Sequence, residues 1–172
     1  MLLAAVLGRA LAAIAQTFST IDTTAAGVTA SSKYNGAAAV GTSVFLTPYV
    51  EDNVGVLDMT TSTFSTIDTT AAGVNANNKY AGAAAVGTSV VFAPYVENNV
   101  GVLDTTTSTF STIDTTAAGV SGNYKYNGVA AVGTSVFFAP YYQDNVGVLD
   151  TTTSTFSTID TTAAGVTADG KY

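Results

Sequence analysis

Past an apolar N-terminal stretch, short apolar runs alternate with clusters of glycine, asparagine, aspartate and threonine, the pattern of strands divided by turns. In the first full cycle the predicted strands cover 36–40, 43–49, 54–58 and 63–68. The first is Gly-Ala-Ala-Ala-Val, whose small side chains suit a crowded wall around a central channel. The second holds Val44, Phe45 and Leu46 in succession, so it is apolar on both faces, as a middle strand must be when neighbours cover it front and back. The fourth sets Phe64 and Ile67 among Ser65, Thr66 and Asp68, the mixed pattern of a partly wet outer edge.

The cycle recurs. TFSTIDTTAAGV begins at 17, 63, 109 and 155, and a Lys-Tyr pair falls at 33, 79, 125 and 171, a spacing of 46 residues each time. Between 35–80 and 81–126, 37 of 46 positions are identical, so these are copies of one unit. Four strands in about 45 residues is the arithmetic of a propeller blade. A β-solenoid is the rival, but its coils usually need fewer residues per turn. The expected fold is therefore all-β, with propeller-type blades at 35–80, 81–126 and 127–172, preceded by a partial repeat at 17–34 with an isolated fourth strand at 17–22.

The blocks Lys-Tyr-x-Gly-Ala, Phe-x-Pro-Tyr, Asn-Val-x-Val-Leu-Asp and Thr-Phe-Ser-Thr-Ile-Asp carry a resemblance over 17–172. The chain resembles the Kelch-like β-propeller repeat proteins of photosynthetic microalgae. It has neither the Kelch double glycine nor the Trp-Asp dipeptide, and contains no tryptophan. The resemblance implies a propeller fold and, by analogy with Kelch-type propellers, no particular chemistry.

Three blades and a strand do not close a ring. An uncovered blade face exposes roughly 400 Å² of apolar surface, and leaving it wet forgoes on the order of 10 kcal/mol. That rivals a whole domain's stability of about 5–15 kcal/mol. The ends are thus expected to be covered by further repeats, a second copy of the chain or another protein.

Residues 1–16, MLLAAVLGRALAAIAQ, differ in composition from the rest and suit a short helix of about 24 Å, less than a bilayer's core. Ala13-Ile14-Ala15 resembles a signal-cleavage site, although a basic start is missing and Arg9 interrupts the apolar run. A cleaved leader would place the protein outside the cell or in an organelle lumen. A retained helix would set it against a membrane complex.

Net charge is −7 with only five cationic side chains, which argues against a nucleic-acid partner because phosphate binding needs clustered cations. Histidine and cysteine are absent, which removes thiol nucleophiles, the usual triad base, zinc fingers and iron–sulfur ligation. No catalytic, cofactor-binding or metal-ligating set is expected.

In a propeller the loop between second and third strands and the connection between blades emerge on one face. This gathers Lys33, Tyr34, Glu51, Asp52, Lys79, Tyr80, Glu97, Lys125, Tyr126 and Asp144 as a candidate interaction face. The tyrosines after lysine are read either as an aromatic rim for a partner or as packing between blades, and Tyr49, Tyr95 and Tyr141, each after a proline that suggests a strand end, as core packing. Carboxylates in these loops could bind calcium, but Asp-Asn is ordinary turn chemistry and the copies differ there. Asp58, Asp104 and Asp150, and likewise Asp22, Asp68, Asp114 and Asp160, precede threonines and are read as turn acceptors. An ice-binding threonine array is disfavoured because the outer strands of blades twist apart.

The expected function is a non-enzymatic scaffold or accessory subunit that binds other protein subunits or further copies of the repeat. The rivals are a metal-dependent lactonase- or hydrolase-like propeller and a structural or adhesive surface repeat.

Overall fold

The computed structural model describes residues 19–167 and 169–172. The helix expected over 1–16 lies outside the described residues. The described chain forms three four-stranded antiparallel sheets, each a meander, in one open row. The first blade contains β1 (Tyr34–Val40), β2 (Ser43–Pro48), β3 (Asn53–Asp58) and β4 (Thr63–Asp68). The second contains β5 (Tyr80–Val86), β6 (Ser89–Pro94), β7 (Asn99–Asp104) and β8 (Thr109–Asp114). The third contains β9 (Tyr126–Val132), β10 (Ser135–Pro140), β11 (Asn145–Asp150) and β12 (Thr155–Asp160).

Local chemistry sets these strands. The first two of each blade join through a two-residue Gly-Thr turn whose glycine takes a positive φ, +58° at Gly41, as a tight hairpin requires. Asp58 then ends β3 and turns the chain by accepting from the amide and hydroxyl of Thr60 at 2.7 and 2.6 Å. Asp68 does the same with Thr70, at 3.2 and 2.8 Å, and starts the 3-10 turn Thr70–Ala72 that leads to the next blade.

The described part of the partial repeat is not a strand. Residues 19–22 lie without ladder bonds before the 3-10 turn Thr24–Ala26, because no third strand runs beside them to pair.

Each joint between blades has its own apolar core. Phe45, Val54 and Val74 meet Tyr80, Val90, Phe92 and Leu103 at the first joint. At the second, Val91, Ala93, Val100 and Val120 meet Tyr126, Val136, Phe138 and Leu149. The middle strand of the flanked blade is sealed on both sides, with Val90, Val91 and Phe92 all 0% exposed. In the end blades Val44, Leu46 and Phe137 are only half-buried. The inner strands approach through glycine: a Cβ on Gly36 would lie 2.8 Å from Gly82 Cα, and one on Gly82 would lie 3.3 Å from Gly128 Cα. The small first strand is therefore a condition for stacking blades at all.

Candidate interaction surface

The loop after β2 and the chain entering the next blade do lie together, and a lysine ties them. Lys79 donates its backbone amide to Tyr49 O at 3.0 Å. Its ammonium donates to Val50 O and Glu51 O at 2.9 and 3.1 Å and pairs with Asp52 at 2.7 Å. Lys125 repeats this one blade on, with Val96 O at 2.9 Å and Asn98 Oδ1 at 3.2 Å, but with no carboxylate at position 98. Burial lowers the Lys125 ammonium to about 8, against a smaller opposing pull from Glu97. Lys171 begins the same clamp at the end of the third blade, with its amide 3.2 Å from Tyr141 O and its ammonium 3.0 Å from Asp144.

The tyrosine beside each lysine turns inward. Tyr80 and Tyr126 are fully buried, and each hydroxyl donates to an asparagine of its own third strand, Asn99 and Asn145, at 2.5 Å. Tyr34 bonds Asn53 likewise at 2.6 Å. Burial raises all three phenols above the usual tyrosine range, with Glu51 adding to the effect at Tyr34 and Glu97 at Tyr80.

Of the ten residues expected on the interaction face, Lys79, Tyr80, Lys125 and Tyr126 are thus interior parts of the joints. Of the two readings of the tyrosines, Tyr80 and Tyr126 follow the one of packing between blades. A lysine reads as a solvated cation in sequence; here backbone carbonyls satisfy its ammonium and let it sink. Lys33 and Tyr34, at the open start of the row, are half-buried. Glu51 and Glu97 are half-buried and accept from the amides of Ala30 and Ala76 at 2.8 and 3.2 Å. Asp52 and Asp144 are exposed and held by the following lysine. The turn aspartates stay below their ordinary pKa; at Asp58 and Asp104 the threonine hydroxyl bond is the main cause and the amide bond the next. Among the described residues no three acidic side chains come together to hold a metal ion, and no helix is long and apolar enough to cross a membrane.

Two features escape the sequence reading. Tyr49, Tyr95 and Tyr141 form a ladder across the blades with ring centroids 6.0 Å apart at each step. Tyr124 and Tyr142 thicken it, at 5.1 Å from Tyr95 and 4.9 Å from Tyr141, and both are exposed. The signal was present in the repeat: one unit earlier these positions hold Asn78 and Val96. The other feature is an apolar groove of about 390 Å³ on the far side of the third blade, lined by residues including Ala130, Phe137, Ala139, Val146 and Tyr172. In the second blade the matching Val91, Ala93 and Val100 are 0% exposed under the third blade.

The architecture is that of β-propeller blades. No protein-family model matches the sequence, and no curated protein matches it. Among solved structures the chain is similar to the extracellular domain of BT4673 from B. thetaiotaomicron, at 12% identity and a TM-score of 0.57, over 74% of this chain and 17% of that one. It is similar to PorZ, a surface component of the type-IX secretion system of Porphyromonas gingivalis, at 15% identity and a TM-score of 0.54, over 72% of this chain and 16% of that one. The third is virginiamycin B lyase from Staphylococcus aureus, at 12% identity and a TM-score of 0.52, over 74% of this chain and 41% of that one. The chain thus spans less than half the length of each, and the likeness is one of propeller fold.

Proposed function

We propose that this chain is a non-enzymatic repeat scaffold, an accessory subunit that holds other protein surfaces within a larger assembly. The observation that carries the reading is the apolar groove on the third blade, left open at positions that the second blade seals completely. Open apolar surface of this kind is a usual mark of a protein–protein contact. The ionisable groups support the same reading. The lysines tie blades together, Glu51 and Glu97 hold backbone amides, and the turn aspartates hold threonines, so these side chains serve the scaffold itself. The repeat is of the Kelch-like kind met in photosynthetic microalgae, in keeping with the sequence blocks it shares with them.

The test is the native mass and subunit content of the protein extracted gently from its source. A particle well above 17.3 kDa that contains other subunits or further copies of the repeat is expected. A chain that fractionates as a single, unaccompanied copy would end the scaffold reading.

A further inference from the structure

We propose that the open face of the third blade receives the first blade of a second copy of this chain, joined head to tail. This rests on the scaffold reading and names the partner of the same surface.

The argument starts from the two joints already present. Each blade has a leading face, covered by the blade before it, and a trailing face, covered by the blade after it. The trailing positions are Phe45 and Val54 in the first blade, Val91 and Val100 in the second, and Phe137 and Val146 in the third. The leading positions are Val44, Leu46 and Leu57, then Val90, Phe92 and Leu103, then Val136, Phe138 and Leu149. At one end of the row a trailing face is open; at the other, Val44, Leu46 and Leu57 leave a leading face half-buried. The described residues thus display both halves of a joint that they make twice among themselves.

The two free halves fit in size. The first joint contains Phe45 with Phe92, and the second contains Val91 with Phe138. Phe137 with Leu46 fills a volume between those two pairs, so neither a void nor a clash is expected. The glycine stack also continues. A Cβ on Gly36 or Gly82 meets the next blade's backbone, whereas one on Gly128 meets only Ala139 Cβ at 3.7 Å, which leaves room for the Gly36 strand of another copy. The charge fits as well: Asp144 stands where Asp52 receives Lys79, and Lys33 forms no ion pair among the described residues. Lys171 and Tyr172 now hold that place through two amides on Tyr141 O, at 2.9 Å from Gly170 and 3.2 Å from Lys171, and the Asp144 pair. Lys33 and Tyr34 of the incoming copy replace them.

Such a contact joins two different faces, so it propagates as a ring or a filament.

The test is sedimentation of the purified chain, expected at a multiple of the 17.3 kDa of one copy. Leu46→Asp on the leading face and Phe137→Asp on the trailing face should each give monomers. An equimolar mixture should give dimers, because one intact joint can form between the two variants. Deleting 170–172 clears the site and should tighten self-association several-fold. If an aspartate variant fails to fold, the absence of cysteine offers a second route. Leu46→Cys mixed with Phe137→Cys should be joined by a short thiol cross-linker, and neither variant should be joined to itself. A wild-type chain monomeric at every concentration, or cross-linking confined to like pairs, would overturn the inference. A chain that is monomeric alone yet co-purifies with other proteins overturns this inference and leaves the scaffold reading standing.

Discussion

Lys79 lies 2.7 Å from Asp52, across the joint between the first and second blades, while the equivalent Lys125 finds an amide, Asn98, at 3.2 Å. One joint is closed by an ion pair and the other by a buried ammonium on neutral acceptors. Asn98→Asp should restore the pair and raise the Lys125 pKa. Because the carboxylate is exposed, the gain at neutral pH should be about 0.5–1 kcal/mol. Urea unfolding at pH 7 measures it; a loss of stability would show that Asn98 is preferred for its amide donor.

The joints also fix a pH profile. Lys125 falls from 10.5 unfolded to about 8 folded, so from about pH 8 to 10.5 the unfolded chain binds more protons and stability rises. Tyr80 and Tyr126 have folded values raised above 10.0, so their contribution is complete below pH 10 and is lost as pH climbs beyond it. Unfolding free energy should therefore increase from pH 8 toward 10 and then fall. In Lys125→Met the rising limb should flatten and the fall should remain.

Thr47 is fully buried with a hydroxyl that has no hydrogen-bond partner, at a position held by Ala93 and Ala139 in the other blades. An orphaned hydroxyl costs about 1–3 kcal/mol. Thr47→Val keeps the shape and removes the orphan, and should raise stability by about 1 kcal/mol in denaturant titrations.

Tyr80→Phe leaves Asn99 without its donor in a sealed joint and should cost about 1–2 kcal/mol. Tyr34→Phe breaks the same bond at the half-buried end of the row, and in the monomeric Phe137→Asp background, where water can replace the hydroxyl, it should cost less. Equal losses would mean that the first blade's leading face is covered in solution.

Gly82 has a φ of +96° and sits between two other glycines. Gly82→Ala should be strongly destabilising, by about 2–4 kcal/mol, from backbone strain and separation of the inner strands together. Thermal melts should place it well below Gly73→Ala. Gly73 also has a positive φ, +77°, but a Cβ there meets nothing.

The chain's own order determined the 46-residue unit, its four strands and its aspartate-led turns, because each rests on residues within a few positions of one another. Asp58 needs only Thr60, and Gly41 only its hairpin. The open ends were legible too, since counting strands shows an incomplete ring. Tertiary structure alone decided where the lysines and tyrosines went. Lys79 reads as part of a solvated rim and Tyr80 as either rim or packing, yet both are interior because carbonyls about 30 residues earlier, on the preceding blade's loop, satisfy the ammonium, and Asn99 takes the phenol. The tyrosine ladder and the contact of Gly36 with Gly82 are likewise products of stacking. Repetition specifies the blade, but only the packing of one blade on the next specifies which of its residues are left for a partner.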